Sequence, residues 1–339
     1  MGILYITSNV EGAGKTVLAV AICQMISDLG KVPFYVKAFP KSQESDFDTD
    51  FAIAITQQTK NPPALDFSSN VETLKTSLSA LLSTNDSIII EGPANTAIPQ
   101  SESTELANKL GAKSLAILDY HDKIGPNATD FADGIIINST PKYRSRELSI
   151  QLSDKKTNLL GIIPEDRSML SVSIKQICDQ VDARWVVKTD NVDRLVGHFL
   201  IGGNIMDPGY HYFGRYPDKV VIVRGDRPDI QLSALNSPLS ALILTSGHSP
   251  TEYVLHESEQ LGIPLMISPL DTPSTIESIG KLLPKTNPYH HEKVVRFKAL
   301  LEKHCYIDKL QLLLSYERIN HLTSIPYPPI ALVAPIMTL

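Results

Sequence analysis

The sequence has little of several features that mark particular protein classes. Its 339 residues include three cysteines and one tryptophan, and no apolar run reaches about 18 residues, the length that a membrane-spanning helix needs. Because Cys23, Cys178 and Cys305 lie far apart, they indicate buried free thiols rather than a disulfide framework or a cysteine metal site. The first residues also lack the basic segment of a signal peptide. We therefore expect a cytoplasmic protein without a membrane span.

An excess of basic residues is missing as well. The chain carries 31 Lys and Arg residues against 37 Asp and Glu residues, which gives a net charge of −6. Proteins that bind nucleic acid need basic clusters to offset phosphate charge, so nucleic acid is not an expected partner. Hydrophobic residues make up 42% of the chain, which is enough for substantial cores, and the length suits two domains of roughly 150–200 residues.

The strongest functional signal lies near the beginning of the chain. The apolar run Ile3–Ile6 leads through a glycine-rich segment, 9–16, into a periodic apolar pattern over Val17–Leu29. This order of strand, glycine-rich turn and helix is typical of a loop that binds nucleotide phosphates, because backbone N–H groups and the helix dipole converge on the anion. A tight strand-to-helix turn is the structural alternative. The predicted nucleotide contacts in this segment are Asn9, Glu11, Gly12, Ala13, Gly14, Lys15, Thr16 and Val17.

Two side chains of this loop have predicted roles in binding phosphate and metal. Lys15 neutralises phosphate charge and is a candidate catalytic residue, and the Thr16 hydroxyl is a candidate ligand of Mg²⁺. Asn9 stands where the usual motif begins with glycine, and it is the one departure from that motif.

Apolar β-type runs alternate with helical patterns through the first half of the chain. Nearly continuous apolar strands between helices predict an α/β fold, with a parallel sheet that has helices on both faces. In such a sheet, ligands gather at the carboxyl ends of the strands. The predicted strands are Ile3–Ile6, Pro33–Val36, Ser87–Ile90, Ser114–Leu118, Gly134–Ile137 and Leu159–Ile163.

The second half of the chain predicts a smaller α/β unit. A helix is predicted over Leu170–Val181, and strand-like runs follow at Val220–Val223, Ala241–Leu244 and Leu265–Ser268. The apolar spacing in His290–Leu314 predicts a helix or a pair of helices, with His290 and His291 as a solvated pair in the preceding linker.

Charged side chains near the predicted phosphate edge indicate a metal site. Glu91 ends a buried strand and is the candidate carboxylate of the Mg²⁺ shell, with a surface glutamate as the alternative. Lys37 ends the second strand, where its ammonium could stabilise a transferring phosphoryl group as a second catalytic residue, or be solvated. Mg²⁺ takes one or two carboxylates beside phosphates and water. Asp48 or Asp50, in the acidic segment Ser42–Asp50, could supply the second carboxylate, and a charged mobile loop is the alternative.

Two further positions are predicted to border the nucleotide base. Asn138 follows the strand Gly134–Ile137, and its amide offers the donor and acceptor that an adenine-like edge requires, although a turn-forming asparagine is equally common. Pro164 follows the sixth strand and could line the same pocket. The choice between ATP and GTP stays open at this point.

These motifs, in this order, resemble the dethiobiotin synthetase and cobyrinic acid a,c-diamide synthase branch of phosphate-loop (P-loop) proteins. They are most similar to the dethiobiotin-synthetase-like N-terminal domain of long bacterial phosphate acetyltransferases, in which a DRTGG domain follows. The segment Arg224–Asp229 resembles the motif that names that domain, although Pro228 and Asp229 replace its Thr-Gly. Ala38–Lys41 departs from the dethiobiotin synthetase pattern. The resemblance covers roughly residues 1–283 and implies a P-loop domain at 1–188 and a DRTGG-like domain at 189–284. Beyond it, the apolar spacing predicts a helical extension at 285–324, and an apolar, proline-rich tail at 325–339 could be a docking segment or a disordered end.

The resemblance also implies a class of function. We expect Mg-ATP to bind the first domain and a small metabolite or partner protein to bind the second, as in a nucleotide-responsive regulatory protein that forms a homodimer. An ATP-dependent ligase of the dethiobiotin synthetase type is the alternative, and a scaffold with a decayed nucleotide site is a third. Slow ATP hydrolysis is compatible with the first reading. Acetyl transfer is not expected of this chain alone, because it has no counterpart of the acetyltransferase domain.

Overall fold

The computed structural model divides the chain into two compact units. Unit 1 comprises Met1–Glu165 together with Pro288–Leu339, and unit 2 comprises Asp166–Asn287. The division therefore falls earlier than the boundary at 188 that the sequence suggested, and the helical extension belongs to unit 1. The predicted tail at 325–339 lies outside the described residues. The structure describes residues 2–38, 47–58, 71–94, 100–120, 132–153, 158–203, 209–282 and 289–314.

Unit 1 is built on a six-stranded parallel sheet, in the order β2-β3-β1-β4-β5-β6. Each predicted strand is present and extends somewhat beyond its predicted bounds. The strands are β1 (Gly2–Ser8), β2 (Pro33–Lys37), β3 (Ser87–Ala94), β4 (Lys113–Asp119), β5 (Gly134–Thr140) and β6 (Leu159–Pro164). The helices between them are α1 (Lys15–Asp28), α2 (Phe47–Thr56), α3 (Val71–Leu82), α4 (Gln100–Lys109) and α5 (Ser145–Ser153).

The sheet of unit 1 is buried on both faces. Ile88, Ile89 and Ile90 of β3 all have no exposed surface, as a continuous apolar strand in a parallel sheet requires. Ile88 and Ile90 pack with α3 and α4, while α1 packs against β2 and β3. The predicted arrangement of helices on both faces is confirmed, and it leaves the carboxyl ends of β1, β2, β3 and β4 together at one edge.

Unit 2 contains a second sheet of five strands in the order β10-β11-β12-β13-β8, in which only β8 runs antiparallel to its neighbour, and a small two-stranded sheet. The strands are β7 (Val172–Ser173), β8 (Arg184–Val187), β9 (Leu195–Val196), β10 (His198–Gly202), β11 (Lys219–Arg224), β12 (Ala241–Thr245) and β13 (Leu265–Ile267). The helices are α6 (Ile174–Gln180), α7 (Gly209–Phe213), α8 (Pro228–Leu235), α9 (Glu252–Gln260) and α10 (Thr272–Leu282). The predicted second α/β unit is confirmed.

The helix predicted over Leu170–Val181 is wrong in its first part. A short 3-10 turn at Arg167–Leu170 and strand β7 precede α6. The cause is a capping box, in which the Ser173 side chain accepts from the Gln176 N–H and the Gln176 side chain accepts from the Ser173 N–H. Such reciprocal caps fix a helix start, so α6 begins at Ile174.

The predicted C-terminal helices form a pair, α11 (His291–His304) and α12 (Ile307–Leu313). Helix α11 packs along α1, the helix that begins at the glycine-rich loop, and buries Val294, Phe297 and Leu301. His290 is the N-cap of α11, and its ring accepts from the Glu292 N–H. His290 is therefore a half-buried helix cap, and His291, the first residue of α11, is exposed.

The cysteines and the helices bear on the type of protein expected from composition. Cys23, Cys178 and Cys305 are buried free thiols, as predicted. No helix in the described part of the chain combines the length and apolar character needed to cross a membrane.

Candidate functional site

The glycine-rich loop joins the end of β1 to the start of α1. Gly12 and Gly14 both have left-handed backbone, with φ of 79° and 102°, which glycine adopts without the steric cost that a side chain brings. Gly14 is the N-cap of α1 and has no side chain to satisfy the first N–H groups of the helix. Uncapped N–H groups at a helix start can bind an anion, and no side chain of the N-cap residue caps those of α1.

Lys15 folds back over this loop. Its Nζ donates to Ser8 Oγ at 3.0 Å, and Ser8 Oγ in turn donates to the Val10 carbonyl at 2.8 Å. Burial lowers the pKa of Lys15, and the nearby carboxylates Glu91 and Asp48 oppose that effect. The ammonium is thus held at the carboxyl end of β1, near the carboxyl groups of Glu91 and Asp48.

Asn9 fastens the loop to the neighbouring strand. Its Nδ2 donates to the Asp119 carbonyl at 3.1 Å, and its Oδ1 accepts from the Asp119 N–H at 2.9 Å. Glycine, the usual residue here, could make neither bond. The departure from the motif therefore ties the loop to the end of β4. Glu11 is exposed on the loop, and Val17 is buried in α1.

Three oxygen-bearing side chains meet at the start of α1. Thr16 Oγ1 lies 2.9 Å from Glu91 Oε1 and 3.1 Å from Asp48 Oδ1. Glu91 is 3% exposed and Thr16 is 9% exposed. One hydroxyl and two carboxylates match the hard-oxygen set that Mg²⁺ takes beside phosphate and water, so these residues fit that ion. Within the described parts of the chain, no three His, Cys, Asp or Glu side chains form a metal cluster, and the remaining ligands would come from nucleotide and water.

Burial is the largest influence on the pKa of Glu91. It raises the pKa of Glu91 to about 7, and the negative charge of Asp48 adds to the effect. The Tyr35 hydroxyl donates to Glu91 Oε2 at 2.7 Å and, with Lys15 and Lys37, favours the ionised form. A buried carboxylate that has lost much of its hydration gains more than an exposed one from a cation placed beside it.

The pKa of Asp48 is shifted in the opposite direction to that of Glu91. Burial opposes its ionisation, but the hydrogen bond and charge of Lys37, together with hydrogen bonds from Tyr289 and Thr16, outweigh burial and lower the pKa of Asp48. Lys37 forms an ion pair with Asp48 Oδ2. Both therefore reach the predicted edge, and the structure pairs them with each other.

The interpretation of the acidic segment Ser42–Asp50 as a mobile loop is wrong for residues 47–50. Helix α2 begins at Phe47, and Asp48 and Asp50 lie in its first turn, where carboxylates interact favourably with the helix dipole. Asp50, the alternative metal ligand, is exposed. Residues 42–46 lie outside the described part.

Asn138 lies against the loop. Its Nδ2 donates to the Ala13 carbonyl at 3.0 Å, and a Cβ at Gly14 would lie 3.0 Å from the same nitrogen. Pro164 ends β6 and pairs in the sheet with Thr140 of β5. Both residues thus lie at the carboxyl edge of the sheet, and their contact with a base stays a prediction.

Sequence reasoning missed three residues of this site. Ser8 holds Lys15, Tyr35 holds Glu91, and the Tyr289 hydroxyl donates to Asp48 Oδ1 at 2.8 Å. Tyr35 could have been found, because it lies two residues before Lys37 on β2 and so on the same face. Tyr289 carries no comparable signal, since it is 241 residues from Asp48.

The comparisons with known proteins identify the second unit. A family model described as the DRTGG domain matches residues 176–282, which lie within unit 2. Residues 176–282 are a DRTGG domain. The range begins before the predicted 189–284, and it includes β8 at the edge of the five-stranded sheet.

Two curated relatives are phosphate acetyltransferases. The protein from Synechocystis sp. is 26% identical over 189 residues, which cover 52% of this chain and 27% of that protein. The protein from Nitratidesulfovibrio vulgaris is 28% identical over 225 residues, which cover 61% of this chain and 30% of that protein. The chain is thus homologous over about half its length to the N-terminal regions of phosphate acetyltransferases, and the match spans less than a third of those relatives.

One solved structure also contains a DRTGG domain. It is the regulatory region of Clostridium perfringens pyrophosphatase, with CBS and DRTGG domains, complexed with the activator diadenosine tetraphosphate. It is 18% identical and covers 42% of this chain and 70% of its own, with a TM-score of 0.29. A likeness of that size carries no functional argument.

The residues of the DRTGG motif that this chain retains, Asp226 and Arg227, each form an ion pair. Arg224 pairs with Asp226 at 2.5 Å, and Arg227 pairs with Asp229 at 2.7 Å. Pro228, at the first position of α8, suits a helix start because its missing N–H would have no partner there. Of the two residues that depart from the motif, Pro228 therefore begins α8 and Asp229 pairs with Arg227.

Proposed function

We propose that this chain is an Mg-ATP-binding regulatory protein, in which unit 1 holds the nucleotide and the DRTGG domain senses a small metabolite or a partner protein. The observation that supports it best is the convergence of the Thr16 hydroxyl with the Asp48 and Glu91 carboxylates at the start of α1, beside Lys15. The sequence order of strand, loop and helix and the homology to phosphate acetyltransferase N-terminal regions support the same proposal.

Each side chain has a distinct part in the proposed binding. The N–H groups of Gly12–Thr16 and the dipole of α1 bind phosphate oxygens, and Lys15 offsets their charge. Thr16, Asp48 and Glu91 hold Mg²⁺. The bound ion offsets negative charge on the terminal phosphates.

The contacts of Lys37 favour binding over group transfer. A phosphoryl-transfer enzyme places free donors where charge develops, and Lys37 instead pairs with Asp48. We therefore expect slow ATP hydrolysis at most. We also propose a homodimer, on the resemblance alone.

An ATP-dependent ligase is the second candidate, because the site contains two cations. Lys15 and Lys37 both act on Glu91 electrostatically, and two cations at one phosphate edge suit the transfer of a phosphoryl group to a carboxylate or carbamate.

Phosphate release distinguishes the two candidates. The protein is saturated with Mg-ATP and phosphate is measured alone and with a panel of carboxylic acids. A regulator gives slow release that no carboxylic acid changes. Release stimulated at least tenfold by one acid would refute the regulatory proposal in favour of the ligase.

A further inference from the structure

The chain returns to unit 1 at Pro288, directly after unit 2. The next residue, Tyr289, reaches the candidate metal site, where its hydroxyl donates to Asp48 Oδ1 at 2.8 Å. Its ring makes an edge contact with Phe51, with centroids 5.5 Å apart, and a tilted contact with Phe47 at 6.4 Å. Phe47 and Phe51 flank Asp48 on α2, so the tyrosine is held by its ring and directs its hydroxyl to the carboxylate.

Asp48 is oriented through both of its oxygens. Lys37 from β2 contacts Oδ2, while Thr16 from α1 and Tyr289 contact Oδ1. A carboxylate held by partners on separate elements has a fixed rotamer, which lowers the cost of ordering it around a cation.

Tyr289 is itself fixed relative to the phosphate loop. Its neighbour His290 caps α11, and α11 packs along α1 and buries Val294, Phe297 and Leu301. Helix α1 carries Lys15 and Thr16 at its start. The segment that follows the DRTGG domain is therefore packed on the same helix that begins the nucleotide site.

We infer that Tyr289 is a positioning residue for the Mg²⁺ carboxylate Asp48, so that the segment after the DRTGG domain completes the nucleotide site of unit 1. This inference rests on the proposed Mg-nucleotide binding. Hydrogen-bond partners of metal ligands commonly change metal affinity by about 10–100-fold when they are removed. Removal of the Tyr289 hydroxyl should weaken Mg²⁺ binding and leave the affinity for metal-free nucleotide unchanged, because Tyr289 acts through Asp48.

The variant Tyr289→Phe keeps the aromatic contacts and removes only the hydroxyl. Tyr306→Phe is a matched control, since Tyr306 is on the same C-terminal segment and its ring packs under Lys309. Mg²⁺ is titrated calorimetrically into the 339-residue chain saturated with ADP. We expect Tyr289→Phe to weaken Mg²⁺ binding about tenfold, with metal-free ADP affinity unchanged, and Tyr306→Phe to match the wild type.

A double-mutant cycle separates positioning from general structure. In the Asp48→Asn background, Tyr289→Phe should cost no further Mg²⁺ affinity. The inference is overturned if Tyr289→Phe alone binds Mg²⁺ like the wild type, or if it weakens metal-free ADP equally. Absence of Mg²⁺-dependent nucleotide binding in the wild type would instead refute the proposed function, and the inference with it.

Discussion

The substitution Glu91→Gln should make the ligand-free protein more stable at alkaline pH. Burial raises the pKa of Glu91 from an ordinary 4.5 to about 7, so the folded protein holds this proton more tightly than the unfolded chain does. Stability from protonated Glu91 is therefore full below pH 4.5, and it is lost as the pH rises to about 7. At about 1.4 kcal/mol per pKa unit, the loss approaches about 3 kcal/mol by pH 8.

Glutamine carries no proton to lose, and its amide oxygen can still accept from Tyr35. The free energy of unfolding of Glu91→Gln should therefore rise relative to the wild type by about 3 kcal/mol between pH 4.5 and pH 8. Urea denaturation at both pH values, with a chelator and no nucleotide, measures the difference. Glu105→Gln is the control, because Glu105 is an exposed residue of α4 paired with Lys109.

A difference between Glu91→Gln and wild type that stays the same at both pH values would refute this reasoning. It would mean that Glu91 ionises near its ordinary pKa despite its burial. The same variant should lose Mg²⁺ affinity, because the site then lacks one of its two carboxylates. Glu91 would thus reduce the stability of the ligand-free fold and contribute to metal binding.

Two other substitutions test the loop and the strand beside it. Asn9→Ala removes both side-chain bonds to the Asp119 backbone and should lower the free energy of unfolding by about 1–3 kcal/mol; unchanged urea unfolding would show that the loop is held elsewhere. Gly92→Ala places a Cβ 2.6 Å from the buried Tyr5 ring and should cost about 1–3 kcal/mol. A melting temperature equal to the wild type would contradict that overpacking.

Local patterns predicted the parts of the fold that local forces determine. The six strands of unit 1 are apolar runs that any parallel sheet buries, and the phosphate loop is contiguous from Asn9 to Thr16. Asn9 was recognised as a departure, but its two bonds to Asp119 depend on β4 lying beside β1, which the sequence order does not state. The predicted nucleotide contacts remain predictions.

Long-range placement could not be predicted from the sequence. The apolar stripe of α11 indicated that this helix packs on something, but it did not indicate α1 as the partner. The contact of Tyr289 with Asp48 follows from that packing. The boundary after Glu165 was also missed, because unit 2 begins with the 3-10 turn 167–170 and the two-residue strand β7, which carry little apolar periodicity.

Calorimetric titration with ATP, in Mg²⁺ and in chelator, tests the central claim most directly when wild type is compared with Lys15→Ala and Lys109→Ala. Lys15 lies over the phosphate loop, whereas Lys109 is on the surface of α4. We predict that ATP binding depends on Mg²⁺, that Lys15→Ala weakens it at least tenfold, or about 1.4 kcal/mol, and that Lys109→Ala leaves it unchanged. Equal affinity of all three proteins, or no binding by the wild type, would contradict a nucleotide site at the start of α1.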